Sequence, residues 1–111
     1  MNITIEEETY AYILRLSGEL DASTCLEVDN EIERALGKSI EQLWIDCEDL
    51  SYISSAGLGV LISHLGTLEE RNINLVLYGM SAHVRNVFEL LGLHLIMNIV
   101  PSKKEAILQE K

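Results

Sequence analysis

The sequence predicts an α/β fold: a single domain, residues 1–111, in which a mixed, mainly parallel sheet of four to five strands carries about four helices. Three observations lead there. The chain has 111 residues, enough for one core and too few for two. Hydrophobic residues make up 48% of it and aromatic residues 5%, so it can build an aliphatic core rather than remain disordered. The hydrophobic period also switches between two and 3.6 in the order β-β-α-β-α-β-α-β-α, and repeated β-α-β units call for right-handed crossovers between parallel strands.

Ile3 and Ile5 alternate with Asn2, Thr4 and Glu6, the pattern of an edge strand. Tyr10 to Leu16 repeats it with Tyr12, Leu14 and Leu16 on one face, leaving Glu6 to Thr9 for the hairpin turn. Ser17-Gly18-Glu19-Leu20-Asp21 then breaks the second strand. The next segment places Cys25, Val28, Ile32 and Ala35/Leu36 on one helical stripe, with Glu27, Asp29, Glu31 and Glu33 off it. Thr24 followed by Glu27 forms a capping-box pattern, Asp21 is a second candidate cap, and Gly37 stops the helix. Leu43 to Cys47 reads as a central strand buried on both faces.

The stretch from Ser51 to Ile62 organises the rest. It leaves a buried strand, passes two adjacent hydroxyls at Ser54 and Ser55, and enters an apolar helix with Leu58, Leu61, Ile62 and Leu65 as its core stripe. Gly57 and Gly59 allow the backbone a tight turn and a close approach. Glu69 to Arg71 close this helix in solvent. Leu75 to Tyr78 is a third inner strand ended by Gly79. Ser81 caps a helix with Val84, Val87, Phe88 and Leu91 on one face and Gly92 as its stop. Leu95 to Val100 is the last strand, and Pro101 or Ser102 opens a short helix carrying Ala106, Ile107 and Leu108.

Charge narrows the function. Residues 1–49 hold thirteen of the eighteen acidic residues and three basic ones, so the net charge of −10 lies entirely in the first half. Such a distribution argues against nucleic acid and anionic membranes as partners and favours a basic protein surface. No apolar run reaches the ~20 residues of a membrane span. The acidic N-terminus is unlike a secretory signal, so a cytoplasmic protein is expected. Cys25 and Cys47 have no metal-ligand spacing and read as buried thiols in a reducing compartment.

Catalytic constellations are hard to assemble. His64, His83 and His94 lie apart from any nucleophile and read as surface or core residues. Ser55-Ala56-Gly57-Leu58-Gly59 lacks the first glycine of a nucleophile elbow, and Gly57-Leu58-Gly59 lacks the third glycine of a dinucleotide fingerprint. Asp46, Glu48 and Asp49 could hold Mg²⁺, but a solvated acidic loop is the favoured account. No enzyme activity, cofactor or resident metal is expected.

The run Leu50-Ser51-Tyr52-Ile53-Ser54-Ser55-Ala56-Gly57-Leu58-Gly59-Val60-Leu61 resembles the signature of STAS domains, and among them the bacterial anti-sigma factor antagonists. Ser17 to Asp21 is similar to the family's Gly-Glu-Leu/Ile-Asp turn, and Val84 to Leu93 to its late helix and turn. The resemblance implies partner switching, a role in transcription control. The unphosphorylated antagonist binds an anti-sigma factor that is also a serine kinase. Phosphorylation of one serine, here Ser55, releases it, and a phosphatase resets the cycle. Asp21, Ser54, Ser55, Ala56, Gly57 and Leu58 would then face the partner. The sequence departs from the pattern at two positions: the family's aspartate before the phosphorylated serine is Ser54 here, and Ala56 stands where serine or threonine is usual. Ser54 is therefore an alternative acceptor. A constitutive binding or scaffold module without a phosphoswitch, a nucleotide or small-ligand binder, and plain helix caps at Ser54 and Ser55 are the competing readings.

Overall fold

The computed structural model describes residues 1–109. Five strands and four helices form the predicted sequence of elements: β1 (Asn2–Glu7), β2 (Tyr12–Leu20), α1 (Cys25–Leu36), β3 (Gln42–Ile53), α2 (Ser55–Glu70), β4 (Asn74–Tyr78), α3 (Ala82–Leu90), β5 (Asn98–Val100) and α4 (Lys103–Gln109). A single 3₁₀ turn, Leu93–Leu95, sits between α3 and β5. The strands lie side by side in chain order, with β1 antiparallel to β2 and every later pair parallel.

That order explains the layering. Right-handed crossovers that always advance in one direction put their helices on one face of the sheet. Buried residues of α1, α2 and α3 indeed join one core with Leu14, Leu16, Leu43, Ile45 and Leu77. The opposite face carries a smaller cluster in which α4 brings Ala106 against Ile13, Trp44, Val76, Tyr78 and Val100. Leu43 and Ile45 point one way and Trp44 the other, so β3 is buried on both faces as expected. Among the described residues no helix is long and apolar enough to cross a membrane.

Several boundaries differ from the sequence reading, each for a structural reason. The hairpin turn runs from Glu8 to Ala11, closed by the Glu8 amide donating to the Ala11 carbonyl at 2.9 Å. Ser17 to Leu20 does not break β2. The strand continues beside β3 through two register shifts, one of them at Gly18, whose φ of +111° absorbs the irregularity. Likewise β3 runs past Cys47 to Ile53, so Asp46, Glu48 and Asp49 belong to a strand rather than a loop. The core stripe of α2 is rotated: Leu58, Leu61, His64 and Leu68 are buried, while Ile62 is 44% exposed. In α3, Leu91 is 61% exposed, because Gly92 at φ +71° turns the chain away there. Leu95 and Ile96 lie outside β5 and are exposed. Cys25 is only partly buried; Cys47 is buried, and both thiols are free.

Candidate functional site

The site forms where two neighbouring parallel strands end together. Leu20 of β2 pairs with Ile53 of β3, so the residues that follow, Asp21 on one side and Ser54 and Ser55 on the other, emerge on the same rim. The Ser54 amide donates to the Leu20 carbonyl at 2.9 Å and ties the two exits together. In open α/β sheets ligands gather outside the carboxyl ends of the strands, the same rim that carries these residues.

The two serines are not equivalent. Ser54 has extended backbone, φ −100° and ψ 173°, and its hydroxyl oxygen accepts the Gly57 amide at 3.3 Å. It is the N-cap of α2, satisfying one of the amides a helix start leaves open. Ser55 is the first residue of the helix and is exposed, and among the described residues its hydroxyl makes no hydrogen bond. A hydroxyl at that position projects into solvent beside the positive end of a helix of 16 residues. No acidic side chain stands in the first turn of α2 to oppose an added negative group.

Gly57 fixes this geometry. A Cβ there would lie 2.6 Å from Leu20 Cγ, 3.0 Å from the Leu20 carbonyl oxygen and 3.2 Å from Ile53 Cγ1. The start of α2 therefore sits directly on the ends of β2 and β3, which only glycine permits. Gly59 has nothing within 4 Å of its would-be Cβ, so the close-approach role expected of both glycines belongs to Gly57 alone. Ala56 is half-buried and Leu58 is buried in the core; Leu58 holds the helix down rather than facing outward.

Asp21 reaches the rim in a different role from the cap expected of it. Its carboxylate accepts from the Ser23 hydroxyl at 2.7 Å and the Ser23 amide at 2.9 Å. These bonds, with a further one from the Thr24 hydroxyl, hold its carboxyl below the usual carboxylate range. The capping box at Thr24 and Glu27 does not form, because the Thr24 hydroxyl turns back to the Glu19 carbonyl at 2.8 Å and accepts the Asp21 amide at 2.9 Å. The loop is thus stitched to itself, and Asp21 is exposed enough to meet a partner.

Two other groups of titratable residues take different places from those the sequence suggests. Asp46 is buried, bonded to Arg15 Nε at 3.2 Å and accepting the Glu48 amide at 3.0 Å, while Arg15 also reaches Glu6 at 2.6 Å. Its oxygens are already engaged in an internal ion pair, which leaves little for a metal. His64, read as isolated, lies instead against Asp29 and Glu33 of α1, 35 and 31 positions away in sequence. Only the packing of α1 on α2 brings these three together, so spacing along the chain carried no signal for them.

Comparison with known proteins identifies the family and the fold. A family model of the STAS domain matches residues 2–106. An anti-sigma-B factor antagonist of Listeria monocytogenes is 36% identical over 102 residues, covering 89% of this chain and 90% of the relative. The solved structure of the anti-sigma factor antagonist SpoIIAA in its unphosphorylated form superposes with a TM-score of 0.80 at 28% identity, covering 96% of this chain and 93% of that one. The phosphorylated form of the Bacillus cell fate determinant SpoIIAA gives 0.74 at 26% identity, over 99% and 100% of the two chains. With its sheet order, its strand-end serines and a match over nearly its whole described length, the chain belongs to the STAS domain family.

Proposed function

We propose that this protein is an anti-sigma factor antagonist, a non-enzymatic cytoplasmic regulator switched by phosphorylation of Ser55. Unmodified, its strand-end rim docks on an anti-sigma factor that is also a serine kinase; phosphorylated, it is released until a phosphatase restores it. The observation that carries the proposal is the division of labour between the serines. Ser54 is occupied as the cap of α2, whereas Ser55 offers an exposed hydroxyl with no hydrogen bond among the described residues. A phosphate there brings about −1.5 to −2 charge. The helix N-terminus tolerates that charge, so the fold survives while the docking face gains negative charge and bulk. The names of the related proteins support the same reading.

A second reading, a constitutive binder, draws on two departures from the family pattern: Ser54 removes the carboxylate before the acceptor, and Ala56 removes the hydroxyl after it. Capture from extracts of the native cell separates the two. Wild type and Ser55→Ala should both retain a serine-kinase-type partner, and Ser55→Asp should lose it. Equal capture by all three would favour the constitutive binder, and no such partner with any bait would refute both roles.

A further inference from the structure

We propose that Asp29, Glu33 and His64 form a binding site for a divalent transition cation, Zn²⁺ in the first instance, bridging α1 and α2. One donor atom from each residue lies within 4.8 Å of the other two. Asp29 and Glu33 are one turn apart on α1 and so project from the same side of that helix. His64 comes from α2, its Nε2 2.7 Å from Asp29 Oδ1 and its Nδ1 3.7 Å from Glu33 Oε1. The imidazole is held in place, with only 7% of its side chain exposed, while Asp29 and Glu33 are 37% and 63% exposed. The ion would take Nε2, which already faces Asp29, and the exposed Glu33 side chain, now nearer Nδ1, would swing round to complete the site.

The donor set selects the ion. Mg²⁺ and Ca²⁺ favour oxygen-only shells, whereas a neutral imidazole with carboxylates suits Zn²⁺ and its neighbours. Three protein donors leave a fourth tetrahedral position for water. Bond lengths of about 2.0–2.2 Å set neighbouring donors roughly 3.3–3.6 Å apart, so Asp29 must withdraw from its hydrogen bond by less than about 1 Å. The proton shared by His64 and Asp29 is displaced as the ion enters. Among the described residues neither Asp29 nor Glu33 has a Lys or Arg partner within 4 Å, so no fixed cation competes with an incoming ion at this point. His64 is nine residues beyond Ser55, about 14 Å along the helix at 1.5 Å per residue, so the ion would clamp the helix pair without touching the strand-end serines.

Calorimetric titration and thermal unfolding of the full chain with ZnCl₂ and with MgCl₂ test this. One equivalent of Zn²⁺ should bind wild type and raise its melting temperature, with no matching response to Mg²⁺. Glu33→Gln changes an exposed side chain and leaves the fold intact; it should weaken Zn²⁺ at least ~tenfold, since even loss of an outer-shell partner costs that much. His64→Gln should abolish binding. Zn²⁺ heats that persist unchanged in both variants, heats lost instead in His83→Gln or His94→Gln, or no response of wild type at about 1 mM Zn²⁺, a concentration far above any specific site's dissociation constant, would each overturn the proposal.

Discussion

The middle of β3 and its end carry the two most chemically loaded stretches of the chain, and they have opposite fates. At the middle, Asp46 is buried and both of its oxygens are engaged, one by Arg15 and one by the Glu48 amide. Burial of the neighbouring Tyr78 phenol, reinforced by the Asp46 charge, pushes its ionisation well above the ordinary range. At the end, Ser54 spends its hydroxyl on the helix cap, and Ser55, one residue later, makes no hydrogen bond among the described residues. The difference teaches that a candidate residue is better judged by what its polar atoms still lack than by its type. A satisfied group is architecture, whereas an exposed unsatisfied one on a rigid frame is available for chemistry.

Substitutions can break this contrast. The largest effect is expected at Gly57, where alanine must displace Leu20 or lift α2 from the strand ends, costing roughly 2–3 kcal/mol in denaturant unfolding. Gly59→Ala, two residues on and facing open space, should instead gain about 0.5–1 kcal/mol through helix propensity. Equal effects at the two glycines would show that α2 does not rest on β2 and β3. Next comes Asp46→Asn, which keeps the shape but weakens the Arg15 pair; because Arg15 is half-exposed and retains Glu6, the expected loss is only about 1–2 kcal/mol.

Ser54→Ala should cost about 1 kcal/mol as the cap is lost, while Ser54→Asp should stay within about 0.5 kcal/mol of wild type. The aspartate also returns the acidic neighbour of the family pattern, so a faster phosphorylation of Ser55 in Ser54→Asp would tie the departure at this position to kinase recognition. The smallest effect concerns Asp21. Its folded-state pKa is depressed, so its hydrogen bonds add stability that is fully present above the unfolded value near 3.9 and is lost as pH falls through the lower folded value. The difference in melting temperature between wild type and Asp21→Asn should therefore shrink as pH drops below about 4.

Much of this was legible in the residues. Alternation in β1 and β2, the apolar run of β3 and the caps at Ser54 and Ser81 all reflect local physics that a sequence displays directly. The extensions of β2 and β3 were hidden because Ser17, Gly18, Glu48, Asp49 and Ser51 are poor strand formers; parallel pairing and the Ser51 hydroxyl, which donates to the Gly18 carbonyl at 3.1 Å, hold them in the sheet. The face of α2 was misplaced for a related reason. A hydrophobic count chooses Ile62, but Asp29 stabilises a histidine in the interface, and the helix turns to bury His64. Likewise Asp21 looked like a cap because its type favours caps, whereas its loop closes on Ser23.

Intact-mass and peptide mass spectrometry of the protein purified from its own cells tests the central claim most directly. A single phosphate on Ser55, with Ser54 unmodified, is the predicted result, since one hydroxyl is free and the other is engaged. Phosphate on Ser54, or none under any growth condition, would contradict it.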